Sequence, residues 1–256
     1  KKVRARAGSS FRYFVSGGAA LAPAVAEFFM AFGFGVLQGY GLTETAGGTC
    51  VNRPDDNRYW TVGPPLDMEI KIAEDGEILV RGDGLFDGYW NLPEATAAAM
   101  TADGWFQTGD IGTLEGANLR ITDRKKDILV LGNGKNVAPQ PIENKLKAQA
   151  HIKEAVVLGD GMESCVALVV PKLEALREEL GLAEDAPVSQ DARARALIKK
   201  EIDAVNKTLN GYELIKKFEI LDNPFTQESG ELTPSHKVKR RVIKERYADR
   251  IEQMRR

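Results

Sequence analysis

Leu119-Arg120-Ile121-Thr122-Asp123-Arg124-Lys125-Lys126-Asp127-Ile128-Leu129-Val130-Leu131 sets five consecutive ionisable residues between two short apolar segments. Residues 119–122 and 128–131 have the aliphatic and β-branched composition of strands. The charged run 123–127 interrupts them, because charges side by side are costly to bury unless each is paired. A boundary between two pieces of chain is expected there. On its N-terminal side short strands alternate with glycine-rich turns and few helices; on its C-terminal side helices mix with strands. The fold class is α/β.

Working outward on the N-terminal side, residues 11–15 predict a buried strand, Ser16-Gly17-Gly18-Ala19 a tight turn, and Pro23 the start of a helix to about residue 32. Residues 68–72 and 77–81 alternate apolar and polar and are joined through Glu74-Asp75-Gly76, a hairpin signal. On the C-terminal side residues 139–150 predict a helix with Ile142 and Leu146 on one face, and 155–158 and 165–170 paired strands. The segment after Ser189 carries Ile198, Ile202, Val205 and Leu209, an amphipathic stripe behind a good N-cap residue. Residues 181–190, small and acidic with Pro187, predict a mobile loop. A last helix carries Ile243, Tyr247, Ile251 and Met254 on one stripe.

The 256 residues are 43% hydrophobic, enough for real cores. Thirty-five Lys and Arg against 37 Asp and Glu leave a net charge of −2, so no global basic field exists to hold nucleic acid. Cys50, Cys165, His151 and His236 show no metal-ligand spacing and no disulfide framework, and a reducing cytoplasm fits them best. Gly, Pro or charge interrupts every apolar stretch before membrane-spanning length, so the chain reads as soluble. It begins at Lys1 rather than Met and enters a strand almost at once, as a fragment with upstream structure removed would.

Four short constellations carry chemistry. Gln38-Gly39-Tyr40-Gly41-Leu42-Thr43-Glu44-Thr45 combines a permissive glycine pair with a hydroxyl and a carboxylate. Such a turn can bring N–H groups and Thr43 to a phosphate while Glu44 holds a hard cation, or it is a polar turn between strands. Thr108-Gly109-Asp110 places Asp110 at a strand end, either as acceptor for a ribose diol or as a turn former. Arg124, Lys125 and Lys126 are a solvated basic face or an anchor plus a hinge, and Leu131-Gly132-Asn133-Gly134-Lys135-Asn136 is a hairpin tip whose two glycines permit close approach of a ligand. Thr233-Pro234-Ser235-His236-Lys237 leads into a basic terminus. Residues 237–256 hold nine basic and three acidic residues, a net +6 against −8 for the rest. One face of that helix is buried and the other wet and basic, or one lysine is placed for an anionic transition state.

In this order the segments resemble the C-terminal portion of the AMP-forming acyl-CoA synthetases of the adenylate-forming superfamily. Ser16-Gly17-Gly18-Ala19, Tyr40-Gly41-Leu42-Thr43-Glu44, Thr108-Gly109-Asp110, Asp123-Arg124-Lys125-Lys126-Asp127 and the lysine loop at 237 stand at family-like intervals over nearly the whole chain, and the ending Leu232-Thr233-Pro234-Ser235-His236-Lys237-Val238-Lys239-Arg240-Arg241 looks most like the long-chain fatty acyl branch. The resemblance implies that residues 1–122 are the final β-rich subdomain of a large AMP-binding domain, 123–127 a hinge, and 128–256 a small mobile α+β domain.

The resemblance further implies that Gly17, Gly18, Gln38, Gly39 and Tyr40 border adenine, Thr43 contacts the α-phosphate, Glu44 the magnesium, and Asp110 with Arg124 the ribose. Lys126 falls at the hinge and Lys237 matches the catalytic lysine, preceded here by His236 where the family usually has glycine. Gly132 and Gly134 fall beside the arm of coenzyme A. The implied reaction is ATP-dependent adenylation of a fatty carboxylate followed by thioester formation with CoA. The family's phosphate loop and most of the acyl tunnel lie upstream of this sequence, so this chain alone is expected to be inactive. Fatty acid, ATP and CoA are the implied partners with the upstream part of the same enzyme, and the implied location is cytoplasmic, with peripheral association at the inner membrane face left open. Two rivals stand: a ligase that loads an acyl carrier protein, and a non-catalytic nucleotide-binding fragment.

Overall fold

The computed structural model describes residues 6–8, 10–184, 186–234 and 236–255, and the chain divides between Lys126 and Asp127 into two units. The first starts with β1 (Tyr13–Ser16), a turn through Gly17 and Gly18, α1 (Pro23–Ala31) and β2 (Gly35–Tyr40). Pro23 opens α1 in the first turn, where an N–H would have no helical partner. The chain then returns parallel to β1, from Tyr13 opposite Gly35 to Ser16 opposite Gln38. β3 (Cys50–Val51) adds antiparallel to β2.

β1 corrects the buried strand expected at residues 11–15. It stands at the edge of its sheet, and Tyr13, Phe14 and Val15 are 42%, 38% and 73% exposed. Among the described residues only β2 lies beside it. Phe14 leans on Phe11, Phe29 and Phe34 with ring centroids 4.7–5.6 Å apart, while Phe28 and Phe32 are exposed on and just after α1.

β4 (Glu69–Ile72) and β5 (Glu77–Arg81) form the expected hairpin, Glu69 opposite Arg81 and Ile72 opposite Ile78. The Glu77 amide donates to the Asp75 carboxylate at 3.1 Å, and Gly76 takes φ +85°, left-handed backbone that costs glycine nothing. α2 (Pro93–Ala98) precedes β6 (Phe106–Glu115) and β7 (Asn118–Arg124), which complete a four-strand meander around Ile78, Val80 and Leu119. Two expectations change. Asp110 lies inside β6 rather than at a strand end, and Asp123 and Arg124 belong to β7 rather than interrupting the chain after it. Pairing is the reason: Asp110 stands opposite Arg124, matching charge across the ladder, and the Arg124 amide donates to Asp123 at 2.7 Å.

In the second unit β8 (Leu129–Val130) and β9 (Asn136–Val137) flank a hairpin tip, and α3 (Pro139–Lys147) buries Ile142 and Leu146. β10 (Ile152–Leu158), β11 (Cys165–Pro171) and, after α4 (Leu173–Leu180) and α5 (Ala192–Asn206), β12 (Ile215–Ile220) make a sheet with β11 central. Alternation by two sends Ala155, Val157, Ala167 and Val169 to one face and Val156, Leu158, Val166 and Leu168 to the other. Helices α3, α4 and α5 pack on the first face, and α6 (Arg240–Arg246) with α7 (Ala248–Arg255) on the second. Both faces of β11 are covered, which is why its sequence is an unbroken apolar run.

Ile198, Ile202 and Val205 are the buried stripe of α5, and Leu209 joins the same core from beyond the helix end. Asp191 is the N-cap, accepting from the amides of Arg193 and Ala194. Ser189 instead gives its amide and hydroxyl to Asp222 at 2.8 and 2.5 Å. In the segment expected as a mobile loop, Val188 is fully buried in that core. The last helix is broken at Tyr247, with φ −106° and ψ 23°, yet Ile243, Tyr247, Ile251 and Met254 still meet one core. Among the described residues no helix is long and apolar enough to cross a membrane.

Candidate active site

Parallel strands leave backbone amides and a crevice at their carboxyl ends, and Gly17, Gly18, Gln38, Gly39 and Tyr40 meet at that end of β1 and β2. A Cβ on Gly17 would lie 3.3 Å from the Gly39 carbonyl oxygen, and one on Gly39 3.3 Å from that of Cys50, so glycine lets these segments close up. Gln38 is buried and its amide donates to the Tyr59 carbonyl. Its side chain is a brace for the following loop.

The Tyr40 hydroxyl donates to Asp110 Oδ2 at 2.6 Å and Arg124 Nε to Asp110 Oδ1 at 2.7 Å. Burial first, and then the charge of Asp110, push the Tyr40 hydroxyl well above the ordinary tyrosine range, so it remains a donor. An ionised carboxylate offers about four lone-pair positions; with two taken, Asp110 can still accept from a vicinal diol such as that of a ribose. Thr108, Gly109, Arg124, Lys125 and Lys126 line a cleft of about 350 Å³. Lys125 is anchored as well, its Nζ 2.6 Å from Asp75 and 2.7 Å from buried Glu77, which also accepts the Gly109 amide at 2.9 Å. The hydrogen bonds that it donates to Asp75 and Glu77 hold that ammonium above the usual lysine range.

Gly41 permits the next turn, since a Cβ there would lie 2.0 Å from the Gly47 carbonyl oxygen. Thr43–Thr45 form one 3-10 turn in which Thr45 points inward, accepting from the Leu42 amide and the Thr49 hydroxyl at 2.9 Å each. Thr43 stays exposed and Glu44 half-buried. Glu44 Oε1 accepts from the Tyr89 hydroxyl at 2.9 Å, and the Glu44 carbonyl accepts the Phe86 amide. Among the described residues no three His, Cys, Asp or Glu gather to cage an ion. A single carboxylate with one oxygen committed fits Mg²⁺ that arrives on nucleotide phosphates, since Mg²⁺ keeps much of its shell as water and phosphate oxygen.

In the second unit Gly132 and Gly134 lie on the β8–β9 tip. Gly134 takes φ +77°, and a Cβ there would meet nothing within 4 Å, whereas a Cβ on Gly132 would touch the Met162 carbonyl oxygen at 3.3 Å. Only Gly134 therefore borders open space. Lys237 lies in an exposed turn closed by its own amide on Thr233 Oγ1 at 2.9 Å and by the Thr233 amide on its carbonyl at 2.8 Å. His236 takes φ +59°, left-handed backbone uncommon outside glycine, and the Gln227 amide meets its Nε2 at 3.2 Å.

Sequence reasoning missed Tyr89, Glu77 and Glu231. Tyr89 and Glu44 are 45 positions apart and Lys125 and Glu77 are 48 apart, so no local spacing links them. A usable hint existed at Tyr89, which follows Gly88 in a glycine-rich stretch too polar to be a strand.

Residues 1–90 match the family model described as AMP-binding enzyme, and residues 126–256 the one described as AMP-binding enzyme C-terminal domain. The chain is 43% identical to the long-chain-fatty-acid–CoA ligase FadD15 of Mycobacterium bovis, over 98% of this chain and 43% of that protein. It is 36% identical to fatty acyl-CoA synthetase A of Dictyostelium discoideum, over 96% of this chain and 41% of that one. It thus spans less than half the length of these relatives. Among solved structures it resembles the adenylation domain of a carboxylate reductase from Mycobacterium chelonae, with a TM-score of 0.79 and 28% identity over 94% of this chain and 38% of that one. ATP-bound MatB from Rhodopseudomonas palustris gives a TM-score of 0.69 at 28% identity, over 93% and 46%.

Proposed function

This chain belongs to the AMP-binding enzyme family, and from that premise we propose that it is the C-terminal part of an ATP-dependent long-chain fatty acid:CoA ligase. The observation that carries the reading is the Tyr40–Asp110–Arg124 arrangement at the carboxyl ends of the parallel strands, a buried acceptor pre-set for a ribose diol. The kinship with fatty acid ligases favours a fatty carboxylate as the acyl donor and CoA as the acceptor.

In the first half-reaction the carboxylate oxygen bonds to the α-phosphorus of ATP and pyrophosphate leaves. Asp110 and Arg124 hold the ribose, Gly17, Gly18, Gly39 and Tyr40 border the base, and Thr43 donates to the α-phosphate. Mg²⁺ held through Glu44 and the phosphates would offset their charge when bound. Lys237 supplies positive charge where negative charge develops on the phosphoryl oxygens. In the second half-reaction the CoA thiolate attacks the acyl carbonyl and AMP leaves, with Gly134 leaving room for the pantetheine arm.

The proposed hinge is 123–127, between the end of the large domain at 1–122 and a mobile domain at 128–256. Two clamps support it. Arg124 and Lys125 are tied to carboxylates of the first unit, and Asp127 lies 3.9 Å from Arg240 of the second, which is itself fixed on Glu143. Lys126 stands between the clamps. The remaining upstream chain would supply the triphosphate loop, the acyl tunnel and the cover for β1. The cytoplasm, or its face of the inner membrane where fatty acids partition, is the proposed location.

The test is an assay of the longer chain with ATP, Mg²⁺, palmitate and CoA. One AMP and one pyrophosphate per thioester are expected, with no turnover by residues 1–256 alone. Transfer only to a carrier protein's phosphopantetheine, or no adenylate at all, would overturn the reading.

A further inference from the structure

Glu231 is 2% exposed, and a buried carboxylate is costly unless its oxygens are satisfied. Its oxygens are crowded with donors. Oε1 accepts from the Tyr247 hydroxyl at 2.8 Å and lies 3.5 Å from Arg246 Nε; Oε2 accepts from the Ser229 hydroxyl at 2.5 Å and from the Thr226 amide at 3.4 Å. Its backbone carbonyl takes the Lys239 amide at 2.8 Å.

These bonds join two parts of the fold. Residue 231 begins the turn that carries Lys237: Leu232 bridges Val238, and the Thr233 and Lys237 backbones close on each other above that bridge. Tyr247 is the point at which the last helix breaks into α6 and α7, and Arg246 Nη1 also reaches the Ser229 carbonyl at 3.2 Å. The break coincides with the residue whose hydroxyl lies on Glu231 and whose ring packs 6.3 Å from Phe225.

We propose that Glu231 is a positioning residue for Lys237: held by Tyr247 and Arg246, it fixes the base of the lysine turn to the C-terminal helices and so sets where the Lys237 ammonium stands during adenylation. The inference rests on the role proposed above for Lys237. Because Lys237 is needed only in the first half-reaction, loosening its turn should damage that half and spare the second. A merely structural carboxylate would, on removal, harm both alike.

Two measurements test it. In the 256-residue chain, Glu231→Gln should speed hydrogen exchange at the amides of Leu232, Thr233, His236, Lys237 and Lys239 by about tenfold or more, with β10 and β11 unchanged. In the longer enzyme, Glu231→Gln should lower the rate of acyl-adenylate formation by about tenfold or more while thioester formation from supplied acyl-adenylate and CoA stays within about twofold. Tyr247→Phe, which keeps the ring and its packing, should shift both readouts the same way by less, and it covers the case in which the glutamine variant does not fold. Unchanged exchange in the turn, or equal loss in both half-reactions, would overturn the inference. Lys237→Ala is the control: if it is selective for adenylation while Glu231→Gln and Tyr247→Phe are not, this inference alone falls, and if it is not selective the role of Lys237 falls and takes the inference with it.

Discussion

Asp110 and Arg124 stand directly opposite each other on β6 and β7, with Arg124 Nε 2.7 Å from Asp110 Oδ1 and the Tyr40 hydroxyl 2.6 Å from Oδ2. Strand pairing, not chain proximity, makes the pair. In the longer enzyme Asp110→Ala and Arg124→Ala should each weaken ATP and AMP by about 1–3 kcal/mol, the range for hydrogen bonds involving charge, and leave CoA affinity nearly unchanged. Calorimetry with the two ligands separates these outcomes. Full nucleotide affinity in both variants would reassign the pair to sheet structure.

Tyr40 adds a pH signature. Its folded value is raised above the ordinary 10.0, so its contribution to stability is complete below pH 10 and is lost as pH rises beyond it, where the unfolded chain releases a proton that the folded one keeps. Tyr247 acts in the same direction, its hydroxyl pushed up to about 12 chiefly by burial and then by Glu231. Urea denaturation of the 256-residue chain between pH 8 and 11 should show stability falling from about pH 9, where the buried thiols of Cys50 and Cys165 also keep protons that the unfolded chain releases, and falling further above pH 10, that last part less steeply in Tyr40→Phe. An identical slope in that variant would contradict the assignment.

Cys50 and Cys165 are both buried, and burial raises their thiols to about 12 and about 11. The thiolate is the reactive form. At pH 8 neither should react with a thiol-specific chromogenic disulfide in the native chain, and both should react once it is unfolded in guanidinium. Rapid release of one equivalent from the native protein would reveal local opening around that cysteine.

Edge strand β1 and helix α1 together expose Val15, Val25, Phe28 and Phe32, an apolar face beside a strand edge. Such faces promote association. Light scattering should show concentration-dependent oligomers for the 256-residue chain, reduced by Val15→Lys combined with Phe28→Asp. In the longer chain, where upstream residues are proposed to cover this face, the same pair should instead lower the melting temperature. A chain monomeric throughout, with no effect of the substitutions in either context, would sink the covering role.

What sequence made legible depended on local periodicity. The 69–72 and 77–81 hairpin and the Ile198–Ile202–Val205 stripe appear where alternation and helical spacing put them, because each is decided by neighbours within a few residues. Of residues 11–15 only 13–15 enter a strand, β1, but composition carries no sign of how many strands will flank it, and it lies exposed at an edge. Asp110 looked like a strand terminator because charge is rare inside sheets; Arg124 across the ladder and Tyr40 made it tolerable, and partners fourteen or more positions away leave no local trace. The same blindness hid Tyr89 behind Glu44 and Tyr247 behind Glu231, since a tyrosine's burial and its hydroxyl's target are properties of packing.

The proposed hinge gives the sharpest test of the proposed function. Arg124 and Lys125 are held by carboxylates in the first unit and Asp127 lies beside Arg240 in the second, so the backbone dihedrals around Lys126 are where a rotation can be absorbed without breaking an ion pair. In the proposed function Lys237 acts where charge builds on phosphate and Gly134 leaves room for the pantetheine arm; that reading requires that each serve a different half-reaction. Lys126→Pro fixes φ and removes an N–H. In the longer enzyme it should therefore leave acyl-adenylate formation close to normal and slow thioester formation, whereas Lys237→Ala should slow adenylation and leave thioester formation from supplied acyl-adenylate nearly intact. Pre-steady-state measurement of pyrophosphate release and of thioester formation distinguishes the two. If Lys126→Pro leaves the second half-reaction untouched, or Lys237→Ala slows both halves equally, the two halves do not depend on a rotation at residue 126.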